Sequence, residues 1–298
     1  MKLAEIGKKI NELRKEMTLT QGELAEGICT QASISLIEKG ELDPNATILY
    51  QIAKKLGVDV NYFFHIGSTP RLDYIEEVKK QLRALRINYK FEGLKEMIRS
   101  EEKNPLFYND PHNMQYMLWH KSIYSFEVEK DYPKAVSIIE EALALMPNQK
   151  RAYTELELEL FMSLGGYEHR SNRYEQAIDY FNKVETALCG KKRIVSDKTI
   201  QSRLYYHLAR AHTRLGHYVQ SISLANKGIQ WNIQYEQLYL MPVLHYQIAY
   251  NYELMNQFEK ALEYLDYSLQ LFEFYPDNPG GEFVRGKRAE YVRRGKQQ

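Results

Sequence analysis

The chain is predicted to be all-α, a small N-terminal helical domain followed by an array of helical hairpins. Two observations carry this. Apolar residues recur at intervals of three and four along most of the 298 residues. From residue 91 onward one pattern, aromatic-x-x-small-x-x-x-large, returns five times.

The N-terminal elements follow from local patterns. Leu3, Ile6, Ile10, Leu13 and Met17 make an amphipathic helix over Leu3 to Glu16. Thr20 with Glu23 forms a capping-box pattern, so a second helix runs from about Gln21 to Glu26. Thr30 and Ser33 offer a third start. A helix from about Gln31 to Lys39 buries Ile34 and Ile37, leaves Gln31, Ala32, Ser33, Ser35 and Leu36 nearer its outer face, and ends at Gly40. Asp43 and Pro44 make a turn, and Thr47 to Leu56 is a fourth helix closed by Gly57. Asp59 caps a short turn, VNYFF, which completes a five-helix domain. Two short helices around a tight turn, the second with a polar outer face, have the shape of a helix-turn-helix that places one helix in a DNA groove.

TQGELA, ISLIEKG and Pro44 resemble the helix-turn-helix of the lambda-repressor/Cro (XRE) type. The segment from Ala25 to Ile34 is one residue shorter than usual in that family. In this it is similar to the PlcR and Rgg group of bacterial peptide-pheromone receptors, as is ICTQASIS. Gln31 is the first choice for a base contact, because glutamine pairs bidentately with adenine; Ser33 and Ser35 reach bases or phosphates, with Thr30 and Ala32 beside them. Gln21 resembles the family's phosphate-contacting glutamine. Lys39, and Lys8, Lys9, Arg14 and Lys15 of the first helix, are expected to meet phosphates.

The domain is expected to span 1–66, with a linker over 67–73 where Gly67, Ser68 and Pro70 cluster, and a repeat domain over 74–275. A helix resumes near Asp73 and runs toward Asn88. The repeated pattern places Leu94, Ala135, Ala177, Ser221 and Ala261 at matching positions, with intervals of 41, 42, 44 and 40 residues. Each opens the second helix of a hairpin, where a small residue allows close packing. The units resemble tetratricopeptide repeats, with Trp119, Ala142 and Pro147 of the second unit and Leu164-Gly165 of the third in matching places. The run PDNPGG breaks structure, and 276–298 forms a capping helix, over Phe283 to Arg294, or a basic tail.

Such repeats imply a superhelix whose concave face is lined by the first helix of each pair. In this register that face carries Lys79, Arg83 and Arg86, then His120 and Tyr124, then Glu159, then Arg203, Tyr206 and Arg210, and finally Tyr246, Tyr250 and Asn251. Arginines and aromatics in a groove suit an extended peptide. The resemblance implies a homodimer on double-stranded operator DNA, controlled by a short signalling peptide. The alternative is that the repeats engage a protein partner, as in the related Rap-type and NprR-type proteins, with DNA binding secondary.

A net charge of +1 gives no general attraction to nucleic acid, and Met1 to Ile66 holds eight Lys/Arg against nine Asp/Glu. DNA affinity must therefore come from a local face. There is no membrane-length apolar run, and MKLAEIGKKINELRKE is charged throughout, unlike a signal peptide, so the cytoplasm is the expected location. Cys29 and Cys189 lie far apart with no metal-ligand spacing, and Cys29 reads as a core thiol. His207, His212 and His217 recur at spacing five, which turns them away from one another on a helix. Glu155, Glu157 and Glu159 read as solvated or groove-facing charge. No Walker loop, GxGxxG, HExxH or GxSxG occurs. No catalytic site, metal or cofactor is expected.

Overall fold

The computed structural model describes residues 3–68, 72–146, 152–189, 195–275 and 278–295. Its helices are α1 (Leu3–Glu16), α2 (Gln21–Ala25), α3 (Gln31–Glu38), α4 (Ala46–Lys55), α5 (Val60–Ser68), α6 (Leu72–Ile87), α7 (Phe91–Glu101), α8 (Pro105–Tyr108) and α9 (Pro111–Tyr124). A π-helical turn, Ser125–Glu129, follows. Then come α10 (Tyr132–Ala144), α11 (Glu155–Arg170), α12 (Tyr174–Leu188), α13 (Thr199–Arg214), α14 (Tyr218–Gln234), α15 (Met241–Leu254), α16 (Phe258–Phe272) and α17 (Pro279–Gly295). No strand occurs among the described residues.

The chain divides into two compact units, Met1–Met114 and Gln115–Gln298. In the first, Ile6, Ile10, Leu24, Ile34, Ile37, Leu49, Ile52 and Phe63 form the core beneath α1 to α5. The capping box is present: Glu23 N–H donates to Thr20 Oγ1 at 3.1 Å and Thr20 N–H donates to Glu23 Oε2 at 2.7 Å. Val60 to Ser68 is a full helix rather than a short turn, started by Asp59, whose carboxylate accepts from Asn61 N–H at 2.7 Å. Met17, placed on the apolar stripe by spacing, is 45% exposed, because α1 ends at Glu16 and the stripe ends with it. Gly7 allows α1 to cross α3 closely, since a Cβ there would stand 2.0 Å from the Ile37 carbonyl oxygen.

The repeat pattern maps onto helix starts. Phe91, Tyr132, Tyr174, Tyr218 and Phe258 are the first residues of α7, α10, α12, α14 and α16. Leu94, Ala135, Ala177, Ser221 and Ala261 are each fully buried. A backbone repeat underlies the chemical one. Tyr89, Lys130, Asn172, Gly216 and Asn256, two residues before each aromatic, all have positive φ, between 55° and 79°. In four of the hairpins the next residue's N–H reaches back five residues to a carbonyl, as Lys90 does to Leu85 and Arg173 to Glu168, which is a Schellman closure. In the second hairpin Asp131 reaches back six, to Ser125, and the π turn takes up the extra residue.

α17 starts at Pro279, earlier than expected, and buries Val284 and Tyr291 with Ala261, Leu265 and Phe272. Pro70, Pro147 and Pro276, read as breakers or repeat markers, lie outside the described residues.

Candidate DNA-binding helix and ligand-binding face

Two helices, α1 and α2, fix the position of α3. Arg14 of α1 reaches the buried Glu38 at the end of α3, with Nε–Oε1 at 2.6 Å and Nη2–Oε2 at 3.0 Å. Arg14 Nη1 also donates to the Leu19 carbonyl at 2.7 Å, and Gln21 Nε2 of α2 donates to Glu38 Oε2 at 2.9 Å. Burial pushes the Glu38 carboxyl up, but the Arg14 and Gln21 hydrogen bonds and the Arg14 charge outweigh it and hold it below the usual carboxylate range. Arg14, expected to meet phosphate, is therefore an internal brace: its length lets a helix-face cation fold into the core once a carboxylate waits there. The Gln21 amide is half-buried and engaged with the same carboxylate.

The remaining candidates on this helix sit at its start. Thr30 Oγ1 accepts from Ser33 N–H at 3.1 Å and lies 2.8 Å from Ser33 Oγ, so the two hydroxyls cap α3. Gln31 and Ala32 are exposed in its first turn, Ser33 and Ser35 are half-buried, and Lys39 is exposed beyond its end. Lys8 and Lys9 both approach Glu12, at 4.0 and 3.2 Å. Cys29 is half-buried against the core, and burial raises its thiol.

In the second unit the first helices α11, α13 and α15 lie against one another in sequence. Arg203 of α13 is held by Glu159 of α11, with Nη1–Oε2 at 2.7 Å and a second contact from Nη2, and by Asp197 at 3.5 Å. Further along α13, the Arg210 guanidinium stacks 5.4 Å from the Tyr206 ring centroid. His207 stacks on Phe181 at 5.5 Å. On α15, Tyr246 and Tyr250 stack at 6.2 Å.

This face is desolvated enough to shift its titrating groups. Burial, with Arg210, Arg203 and His169 nearby, lowers the His207 imidazole to about 3. Burial, with Arg210 and Arg214, lowers His169 to about 4. Burial, with Glu253, Tyr250 and Tyr206, raises the Tyr246 phenol to about 12. At neutral pH both imidazoles and this phenol are uncharged.

Several expected ligand-binding groups are structural. Asn251 is fully buried: its Oδ1 lies 2.8 Å from Thr213 Oγ1, and its Nδ2 donates to Ser221 Oγ at 2.8 Å and to the Gln247 carbonyl at 2.7 Å. It joins α13, α14 and α15, which leaves no amide group for a ligand. His120 is also fully buried, with Nδ1 3.0 Å from the Tyr116 carbonyl, and Tyr124 is 8% exposed. Lys79, Arg83 and Arg86 belong to α6 in the first unit, where Lys79 pairs with Glu76 at 3.5 Å. The acidic run is used internally as well. Glu155 accepts from the Ser196 and Asp197 N–H groups, Glu157 completes a capping box with Thr154, and Glu159 holds Arg203.

The histidine spacing misleads in one place. α13 ends at Arg214, and the turn that follows brings His217 Nδ1 to 3.3 Å from His212 Nδ1. No group of three or more His, Cys, Asp or Glu side chains suited to a metal gathers among the described residues.

Residues 10–63 match the family model described as Helix-turn-helix. The chain carries a helix-turn-helix domain. The whole fold is shared with PlcR of Bacillus thuringiensis, solved in complex with the peptide PapR7 and DNA. That similarity has a TM-score of 0.83 at 20% identity and covers 94% of this chain and 99% of PlcR. The Streptococcus dysgalactiae SHP pheromone receptor Rgg2 shares it at a TM-score of 0.63 and 16% identity, over 96% and 99%. In sequence, 111 residues are 32% identical to response regulator aspartate phosphatase E of Bacillus subtilis, covering 36% of this chain and 28% of that protein. The chain thus spans about a quarter of that relative. No described helix is long and apolar enough to cross a membrane.

Proposed function

We propose that this protein is a cytoplasmic, non-enzymatic transcription regulator that binds operator DNA as a dimer through α3 and is controlled by a short signalling peptide on the α11, α13 and α15 face. One observation carries the reading. A helix-turn-helix domain with an exposed glutamine in its third helix stands in a chain that shares its fold, nearly end to end, with a protein solved with both a peptide and DNA. The even charge of the first 66 residues also favours a grip that needs two copies at a set spacing. Selection of bound sequences from a random duplex pool by the full chain tests it. An inverted repeat with half-sites about one helical turn apart is expected. An unenriched pool would overturn it.

A second reading rests on the similarity to response regulator aspartate phosphatase E. In this reading the repeats of this chain engage a folded protein and DNA binding is secondary. Stoichiometric co-purification of a folded partner, without selection of any duplex, would favour it.

A further inference from the structure

The charges on α11, α13 and α15 do not balance. These helices carry five carboxylates, Glu155, Glu157, Glu159, Glu168 and Glu253, and each has a partner within the chain. Glu155 and Glu157 are taken by backbone N–H groups, Glu159 by Arg203, Glu168 by Tyr132 and Arg173, and Glu253 by Lys287. Of the arginines, Arg170 pairs with Glu127 and Arg203 with Glu159. Arg210 and Arg214 remain without a carboxylate among the described residues. Arg214 is exposed at the end of its helix, where water solvates it. Arg210 is half-buried, flanked by Tyr206 and by the neutral imidazoles of His169 and His207.

A half-buried guanidinium beside neutral rings is a strong site for a planar anion, because the fork is pre-oriented and little water competes. The Tyr246 phenol on α15, close enough to Tyr206 to be raised by it, stays protonated and offers a hydrogen-bond donor on the neighbouring helix. Arg203, an equal candidate by spacing, is already neutralised.

We infer that Arg210 anchors a carboxylate of the peptide ligand, either its C-terminus or an Asp or Glu side chain. This rests on the peptide-receptor reading above. It is tested by capture from a random synthetic heptapeptide pool on the immobilised full chain. The pool is made once with free C-termini and once amidated, and bound peptides are read by mass spectrometry. Wild type should enrich carboxylate-bearing peptides. Arg210→Gln should cut that enrichment about tenfold or more, as loss of a charge-assisted pair does, while Arg214→Gln changes it about twofold at most. Arg210→Lys should keep part of it, and unchanged thermal melts of these variants would establish that folding is intact. Loss of binding by the amidated pool assigns the C-terminus, whereas acidic peptides bound from both pools assign a side chain. Capture of acid-free amidated peptides as efficient as that of carboxylate-bearing ones, or a preference that survives Arg210→Gln, would overturn the inference and leave the peptide-receptor reading standing. Capture of no peptide by wild type would overturn both.

Discussion

The two units differ in what holds their helices together. The N-terminal domain sets α3 with a buried charge pair, Arg14 and Glu38, steadied by Gln21. The second unit packs the small anchors Ala135, Ala177, Ser221 and Ala261, adds a neutral network of Asn251, Thr213, Ser221 and Gln247, and ties α11 to α13 with its own ion pair, Arg203 and Glu159. A buried ion pair contributes little net stability against an apolar replacement but is costly to break on one side, so it fixes geometry. An output helix that must meet a groove in one orientation benefits from such a brace. The neutral network suits stacked repeats, and the half-buried Arg210, without a carboxylate among the described residues, lies on the face proposed to receive a ligand.

Breaking the brace should give the largest effect. Glu38→Ala leaves the buried Arg14 charge without its carboxylate, so the N-terminal domain should lose about 3–5 kcal/mol and duplex binding should fail, as read by urea denaturation and gel shift. If stability fell by less than about 1 kcal/mol, the pair would be a surface contact in effect.

The array has a steric counterpart. A Cβ at Gly165 would stand 2.4 Å from the Phe181 ring, so Gly165→Ala should cost about 1–3 kcal/mol and leave the N-terminal domain's duplex affinity untouched. Asn251→Ala should cost about 1–3 kcal/mol by stranding Thr213 and Ser221, with the loss read in thermal melts of the full chain.

Acid separates the units further. His169 and His207 have folded values lowered to about 4 and about 3, below the unfolded histidine range. The unfolded chain binds protons first as pH falls, so the array should lose stability below about pH 6.5 and His207→Gln should flatten that slope. Glu38 is also lowered, and as a carboxylate its stabilisation is present above the unfolded carboxylate range and is lost as pH falls through its folded value. Melting the full chain from pH 7 to pH 4 should show the array's loss first. A flat melt over that range would contradict the assignment of neutral histidines. The smallest effect expected is at Lys130, exposed with φ of 57°: Lys130→Gly should stabilise the second hairpin by about 0.5–1 kcal/mol in the same assay.

Local and periodic features were legible in the sequence. The Thr20 and Glu23 box needs only a spacing of three, and the hairpin anchors announce themselves by repeating. Partners distant in sequence were not: Arg14 and Glu38 lie 24 residues apart, and Asn251 and Thr213 lie 38 apart. Periodicity gives a side chain's face but not what waits there, which is why Arg14 and Asn251 read as ligand contacts. The left-handed turn positions were hidden because Tyr, Lys, Asn and Gly all occupy them. His212 and His217 were misread because spacing five separates side chains only while the helix continues, and here it stops at Arg214.

On the proposed reading, paired charges place α3 while exposed Gln31 reads the DNA. Fluorescence anisotropy on the selected duplex, with each base pair replaced in turn, tests it directly. Gln31→Ala should lose about 1–3 kcal/mol of discrimination at one symmetry-related base pair and keep the rest. An unchanged preference at every position would contradict it.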